Sequence, residues 1–498
     1  MDKVSDITKK LLINRQLISH ISTLTAPQKT DLPAVESVST MSSTAQWFLE
    51  QITGRKPILI FGDYDVDGIS ASAILSKYFT SLGCKSTIFI PSRLTDGYGL
   101  KLETITKLNI SQYEAIIVVD SGTNSEDVHQ YIEQLAIPTV ILDHHTKSIN
   151  LREYKHLKIV NPRINNEFYA CSATLAYLFV MSCSPELSNE YIGPAAMASI
   201  TDSVPISLEN HTIIKYGLTH MSKWIGLKVM LQELEIGFPT QTAIGWRIGP
   251  RLNAPGRLGN ATTALDLLLS TTEADAKAVL AELEACNSKR KDIQDKILKE
   301  ATKLAETQAD KGAILVSGDW HIGVLGIVAA KLSETFNVPA IVTTATNPAN
   351  GSGRAPDGYD LVQLLSDTSL PRTCFGGHAR AIGVHIPAPS MQNVTKEFQA
   401  TATNCKPGSK QAAHELEITT KNVNQKEAYA IECLEPFGEE FPEPIFGIKG
   451  KIIEEGNTAS IEDEFGKCSI TGKKHTCISS IIPVKIKYTY FGSQVEIV

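Results

Sequence analysis

Long apolar runs are missing from this chain. No stretch approaches the ~18 consecutive apolar residues that a membrane span requires, and the opening residues MDKVSDITKKLLINRQ carry no long apolar core of the secretory kind. Paired cysteines are missing as well. Nine cysteines lie scattered without one Cys-x-x-Cys spacing, which excludes a zinc ribbon and argues against a disulfide framework. They read as reduced, small buried residues of a cytoplasmic protein. A surplus of positive charge is also lacking: the net charge is −7, which excludes a protein that coats nucleic acid through a broad basic face. A local basic channel is still open to it, because carboxylates gathered round divalent ions raise the acidic count without repelling phosphate. No fixed-period repeat occurs. With 42% hydrophobic and 20% charged residues, the composition is that of a globular protein of about three domains.

What the chain does hold is an alternation of strand and helix patterns. Strand-like runs fall at ILIF (58–61), STIFI (86–90), AIIVV (115–119), TVIL (139–142) and KIV (158–160), with helical stretches over 70–82, 102–108 and 125–135. Nearly all-apolar strands alternating with helices belong to a parallel sheet covered on both faces. This predicts an α/β protein. Residues 1–50 form a helical lead-in, and 51–270 a doubly wound parallel-sheet domain completed by helices over 170–235. A connecting helix over 271–310 has Ile293, Ile297, Ala301 and Leu304 on one stripe and its charge run KRKDIQDK on a solvated face. A second, smaller α/β domain is expected over 311–395, from AILV (313–316), a helix over 322–335 and PAIV (339–342). A polar linker at 396–410 leads to a small β-rich module over 411–498.

The first strand run ends in GDYDVDG, which places Asp63, Asp65 and Asp67 at alternate positions. A calcium loop of the EF-hand type is excluded: its twelfth position needs a Glu and here holds Ile74, and the segment in front is a strand, not a helix. In an open parallel sheet, ligands bind beyond the carboxyl ends of the strands. AIIVV ends at Asp120 and TVIL at Asp143, His144 and His145, and a small-residue helix closes at Asp202. Each acid alone reads as a helix cap. Three acidic strand ends at one edge, one carrying two histidines, point instead to a pair of Mn2+ or Mg2+ ions, which neutralise the carboxylates and clamp both oxygens of a phosphodiester under attack.

DYDVDG, VVDSG, LDHH and Asp202 resemble the four signature motifs of the DHH phosphoesterases. The later motifs GPRLNAPGRLGNATTALDLLL (249–269), NPR (161–163), GSGRA (351–355), GGHARAIG (376–383) and LEPFG (434–438) narrow the resemblance to the RecJ single-strand-specific exonucleases, over roughly residues 50–450. The resemblance implies that Asp65, Asp67, Asp120, His144 and Asp202 ligate two manganese ions, with Mg2+ as the alternative. Asp63 is a further ligand, standing where more distant DHH enzymes carry a histidine. It also implies that Asp143 orients His144 from behind, and that His145 contacts the scissile phosphate or assists proton transfer to the leaving oxygen; Asp143, His145 and Asp120 form the catalytic group.

In the second domain, Gly351-Ser352-Gly353-Arg354 joins flexible backbone, hydroxyl and guanidinium, the parts of a phosphate cradle; its plainer reading is a surface turn, as is that of Gly376-Gly377-His378. With the resemblance, Ser352, Gly353 and Arg354, with Arg251 or Arg257, hold a terminal 5′-phosphate, and Gly376, Gly377 and His378 face the substrate. Trp246 and Tyr98 are conceivable base-stacking residues, although core packing is the ordinary fate of each. The chain departs from the family pattern after LEPFG, where EEFPEP (439–444) stands in place of GNPEP, and SITGKKHTCISS alternates weakly, so the C-terminal module is a truncated or divergent oligonucleotide-binding barrel.

The expected activity is metal-dependent 5′-to-3′ hydrolysis of single-stranded DNA to 5′-mononucleotides in repair and recombination, alongside a helicase and a single-strand-binding protein and away from the membrane. Two alternatives stand beside it. One is a phosphodiesterase for short oligonucleotides or cyclic dinucleotides, against which the long connecting helix and the 249–269 segment speak. The other is an inactive DNA-binding scaffold, which would have lost metal ligands that are all present here.

Overall fold

The computed structural model describes residues 4–97, 99–405, 413–455, 458–471, 481–489 and 492–497; Tyr98 and most of SITGKKHTCISS lie outside them. Five short strands, β1 (Ile58–Phe61), β2 (Ser86–Phe89), β3 (Ala115–Val119), β4 (Thr139–Leu142) and β5 (Leu157–Val160), form a wholly parallel sheet in the order β2-β1-β3-β4-β5. Alternate residues serve opposite faces. Ile58, Ile60, Ile117, Val119, Val140 and Leu142 pack into a core shared with the helices α1 (Val66–Ser81), α2 (Ser172–Cys183) and α3 (Ser188–Thr201). Leu59, Phe61, Ile116, Val118 and Ile141 pack on the other side with Ile105 and Ile132, from the helices Leu102–Lys107 and Glu126–Leu135. In this strand order the winding reverses between β1 and β3, which opens a crevice at their carboxyl ends.

Helix α1 begins at Val66, four residues before the expected start, because the Asp65 carboxylate caps it. Further on, α4 (Gly249–Leu258) follows a π-helical turn, Ile244–Ile248, on which Trp246 is 80% exposed. Trp246 is therefore not a core residue, contrary to its ordinary fate. Helix α4 is wedged between the two α/β units: a Cβ on Gly256 would run into the Tyr64 carbonyl oxygen, and one on Gly323 would overlap that of Arg257.

The connecting helix α5 (Glu273–Ala305) runs 33 residues, about 50 Å. Its buried stripe is Ala276, Leu280, Leu283, Asn287, Arg290, Gln294, Ile297, Ala301 and Ala305. Leu304 is exposed and Ala305 takes its place, while Arg290 and Gln294 of the charge run are buried rather than solvated. The stripe is apolar at both ends, where it meets the two cores, and polar in between.

The second unit has strands β6 (Ile314–Gly318), β7 (Ala340–Thr344), β8 (Ala349–Arg354), β9 (Phe375–His378) and β10 (Ala381–Ile386) in the order β6-β7-β8-β10-β9, parallel only between β6 and β7. Helix α6 (Leu325–Phe336) and the end of α5 cover one face. The stretch expected to be a linker is in part the helix Met391–Asn404, which buries Val394, Phe398 and Ala402 on the other face. The GSGR and GGH segments, whose plainer alternative reading was a surface turn, are strands; a Cβ on Gly351 would overlap the Val342 carbonyl oxygen, and one on Gly377 that of Ala381. Gly351 and Gly377 thus allow close strand packing.

The last unit is a seven-stranded mixed sheet: β11 (Leu416–Ile418), β12 (Phe446–Lys449), β13 (Lys451–Glu455), β14 (Thr458–Asp463), β15 (Gly466–Thr471), β16 (Ile481–Thr489) and β17 (Gly492–Ile497), in the order β11-β12-β16-β17-β15-β14-β13. The lead-in reaches it directly: Ile7 enters its core, and Arg15 donates two hydrogen bonds to the Glu415 carboxylate at 2.6 and 2.7 Å. A second tie runs to the first domain, where the buried His211 Nε2 donates to the Leu434 carbonyl at 2.8 Å and its ring meets Phe441 edge-on.

Burial lowers the His211 imidazole from 6.5 to about 3, against the opposing pull of the Leu434 carbonyl. Its folded-state value lies below its unfolded one, so its contribution to stability is complete above pH 6.5 and is lost as pH falls from there toward 3. Denaturant midpoints measured between about pH 7 and 4 are expected to fall, by up to ~3 kcal/mol in stability, with a shallower slope in His211→Gln. Parallel slopes in the two proteins would remove His211 as the acid-sensitive tie.

Candidate metal centre and phosphate cradle

Asp63 stands one residue beyond the end of β1, after Gly62, and Gly68 folds back on it so closely that a Cβ there would lie 2.6 Å from the Asp63 amide nitrogen. Asp65 Oδ1 accepts the amides of Asp67 and Gly68 at 3.0 and 3.1 Å. Asp67, in the first turn of α1, accepts the Ser172 and Ala173 amides at 2.7 and 2.8 Å, so it caps α2 from another helix. The plain reading of these acids as caps is thus correct for two of them. Capping and ligation coexist because a carboxylate has several lone-pair directions. From β3 comes Asp120, held at φ +60°, a left-handed conformation that costs a non-glycine residue energy and persists where its surroundings impose it.

These acids converge. One oxygen each of Asp63, Asp65 and Asp120 lie within 4.8 Å of one another, and so do ligand atoms of Asp67, His144 and Asp202. The groups touch: His144 Nε2 is 3.0 Å from Asp120 Oδ1 and 3.6 Å from Asp67 Oδ2, and its Nδ1 is 3.7 Å from Asp202 Oδ2. Two adjacent oxygen-rich triads share one rim of the crevice.

The electrostatics are those of a site built for cations. Burial, then the Asp65 charge, pushes Asp63 well up and Asp67 to about 6. Asp120 is raised by burial and by Asp65, Asp67, Asp63 and Asp202, and Asp202 by burial, Asp67 and Asp65. His144 offers no compensating charge, since burial and the neighbouring His145 press it down to about 3. Both carboxylate oxygens of Asp63 and Oδ2 of Asp202 are buried without a hydrogen-bond partner. Orphaned carboxylate oxygens with one neutral imidazole are the donor set of Mn2+ or Mg2+, so the residues fit a pair of such ions.

Asp143 behaves differently. Its Oδ1 accepts the His145 Nδ1–H at 2.7 Å and the His144 amide at 2.8 Å, and its Oδ2 accepts the Thr123 amide at 2.9 Å. Burial alone would raise this carboxyl, but the His145 hydrogen bond and charge outweigh it and hold Asp143 well below its usual range. Asp143 therefore orients the ring of His145, not that of His144 as expected. The His144 Nδ1 is hydrogen-bonded instead to the Tyr169 hydroxyl at 2.8 Å. Tyr169, which the sequence reading passed over, lies in an apolar-looking FYACSAT stretch without motif character.

Across the crevice, Arg354 Nη1 donates to Ser352 Oγ at 2.8 Å and to the Gly353 carbonyl at 2.7 Å. Arg257, at the end of α4, is lowered to about 10 by burial and by Arg93, Arg290 and Arg354, and Arg354 is lowered by burial and Arg93. Arg257, Ser352 and Arg354, with Arg93 close enough to act on both guanidiniums, make a candidate anion cradle. Arg93 was missed; its signal is its place in the loop just past the carboxyl end of β2. Arg251 is drawn elsewhere, into an ion pair with Glu284. Gly376, Gly377 and His378 lie on β9, and burial together with the charges of Arg163 and His145 lowers the His378 imidazole.

A crevice at a sheet switch point with two acidic triads is the architecture of a phosphoesterase-type metal site. Residues 57–200 match the DHH family N-terminal domain and residues 309–404 the DHHA1 domain, and over most of its length the chain is similar to RecJ-type single-stranded-DNA-specific exonucleases. It is 28% identical over 431 residues to the single-stranded-DNA-specific exonuclease RecJ of Bacillus subtilis, covering 83% of this chain and 55% of that protein. It is 28% identical to RecJ of Thermus thermophilus, covering 80% of this chain and 60% of the relative. The chain thus spans little more than half the length of these relatives. A crystal structure of Thermus thermophilus RecJ with Mn2+ superposes with a TM-score of 0.80 at 23% identity, over 98% of this chain and 74% of that one. A structure of exonuclease RecJ bound to manganese superposes at 0.64 with 26% identity, over 74% of this chain and 96% of that one.

Replacing one of the crowded acids relieves repulsion in the metal-free protein and removes a ligand. Asp63→Asn is therefore expected to raise the melting temperature in chelator by about 2–4 °C and to lose the further rise that Mn2+ gives the parent. An undiminished Mn2+-induced rise in the variant would take Asp63 out of the ligand set.

Proposed function

We propose that this chain is a divalent-cation-dependent exonuclease that degrades single-stranded DNA from the 5′ end to 5′-mononucleotides. The carrying observation is the pairing of the two acidic triads with a separate guanidinium cradle across one crevice. Asp63, Asp65 and Asp120 would hold one cation and Asp67, His144 and Asp202 the other, with Asp120 and His144 in contact between them. When bound, such ions supply charge neutralisation and activation of water for attack on a phosphodiester.

The chain's own residues set register and direction. Arg93, Arg257, Ser352 and Arg354 bind the terminal 5′-phosphate, and the fixed offset from cradle to metal centre selects the bond that is cut. His145, buttressed by Asp143, donates a hydrogen bond to the scissile phosphate or a proton to the departing O3′; its hydrogen bond to Asp143 raises its pKa against the effect of burial. His378 approaches from β9 on the opposite wall. Mn2+ is the proposed ion, with Mg2+ the alternative. A role in repair or recombination, a cytoplasmic setting and cooperation with a helicase and a single-strand-binding protein are proposed from the relatives. Among the described residues no helix is long and apolar enough to cross a membrane.

Asp120→Ala is expected to abolish manganese-supported hydrolysis of a single strand while strand binding, followed by anisotropy, survives; near-parental turnover would remove the mechanism. In the parent, 5′-phosphorylated single strands should be digested in preference to 5′-hydroxyl strands, and blunt duplex should resist. Arg354→Gln should erase the 5′-phosphate preference at a cost of ~10- to 100-fold in KM. Faster turnover of a dinucleotide than of a long strand would favour the short-oligonucleotide reading instead.

A further inference from the structure

A cavity of about 570 Å³ lies where α4, α5 and α6 meet, and it shares only Arg257 with the 5′-phosphate cradle. On α6, Gly326 faces the cradle, its Cβ position 3.2 Å from Arg354 Nη2 and Ser352 Oγ, whereas Ile327 and Lys331 line the cavity. The two sites thus occupy different faces of one helix. The cavity also backs onto the metal centre: Ser203 and Thr201, on either side of Asp202, form part of its wall. Another wall residue, Asn253, accepts the Val66 amide between Asp65 and Asp67.

Its lining is strongly cationic for an acidic chain. Besides Arg251, which is paired with Glu284, the lining brings Arg257, Arg290, Lys291 and Lys331 against one carboxylate of its own, Asp295. Arg290 belongs to the polar middle of the α5 stripe and is only 8% exposed. Its Nη1 donates to Gln294 Oε1 at 2.8 Å and its Nη2 to Asn287 Oδ1 at 2.5 Å, both neutral amides, while its Nε is buried without a hydrogen-bond partner. A buried guanidinium is ordinarily paired with an anion; among the described residues no carboxylate bridges this one. At the same cavity Trp246 is 80% exposed, on the π-helical turn that precedes α4. π-turns concentrate at functional sites, and an indole face beside cationic groups suits a nucleobase. The volume is that of a small-ligand pocket rather than of a groove for a strand.

We propose that this cavity is a separate binding site for a nucleoside 5′-monophosphate, with the phosphate at Arg290 and Lys331 and the base on Trp246. It is the first station of a product leaving the metal centre from behind, and in that role it rests on the exonuclease reading above.

Calorimetric titration of the full chain with dAMP, in chelator so that no turnover occurs, tests the site. Two dAMP sites are expected in the parent, of which Arg354→Gln removes the cradle and Arg290→Gln weakens the cavity by at least ~10-fold. Trp246→Ala should weaken dAMP at the cavity while leaving inorganic phosphate bound there as before. Should Arg290→Gln fail to fold, the surface variant Lys331→Gln carries the same expectation. Unchanged dAMP binding in all the cavity variants would overturn the proposal. So would binding at Trp246 of a 5′-hydroxyl oligonucleotide but not of dAMP, which would make the cavity part of a strand path. Because binding is read without catalysis, an inactive parent that still binds dAMP at the cavity would sink the exonuclease reading and leave the site standing.

Discussion

Five carboxylates, Asp63, Asp65, Asp67, Asp120 and Asp202, are held at one rim, where the positive charge of His145 and Arg93 lowers Asp63 by less than burial and Asp65 raise it. That arrangement opposes folding: Asp63, Asp67, Asp120 and Asp202 are each raised by desolvation and by their neighbours. The rest of the first domain is the apparatus that enforces it. The parallel sheet supplies three strand ends, α1 and α2 lend their amide termini to Asp65 and Asp67, and Asp120 is locked at positive φ. A site so uncomfortable without cations is preorganised to bind them, since the repulsion has been met by the fold before any ion arrives.

The same logic separates the two histidines. His144 sits among acids, yet burial and His145 hold it down, which leaves a neutral imidazole fit for ligation. His145, one residue on, is bound to a fully ionised Asp143 and is pushed upward. Adjacent residues of the same type thus carry opposite protonation preferences, set by which of them meets the Asp143 carboxylate. Pushing the pKa values of neighbouring groups apart is how one short motif can provide both a ligand and a proton donor.

Much of this was legible in the chain because it is local. β1, β3 and β4 were read to the residue, since a run of Ile, Val and Leu buried on both faces leaves no other register, and the acids at their ends followed. The misreadings share a different cause. GSGR and GGH look like turns in isolation and become strands only because β10 lies between them. Arg290 lies in a run of charges that any solvated helix would carry, and its burial depends on two units closing round α5. Arg93, Tyr169 and the Arg15–Glu415 clamp are likewise products of contacts between segments distant in the chain. Sequence patterning reports what a residue's own element needs; it is silent on what a distant element brings to it.

Helix α4 shows what such long-range closure achieves. Its two close approaches, Gly256 on the Tyr64 carbonyl and Gly323 on the Arg257 carbonyl, leave no room for even a methyl group. They tie the loop that carries Asp63, Asp65 and Asp67 to the unit that carries Ser352 and Arg354 through one rigid element. Because Arg257 is itself a member of the cradle, the anion site and the metal site are separated by backbone packing rather than by flexible side chains. On the proposed reading, a ruler of this kind would hold its length under load, and a strand gripped at its terminal phosphate would present the same bond to the metal centre at every cycle. The directional, stepwise hydrolysis proposed above would then need no moving part beyond the advance of the strand itself.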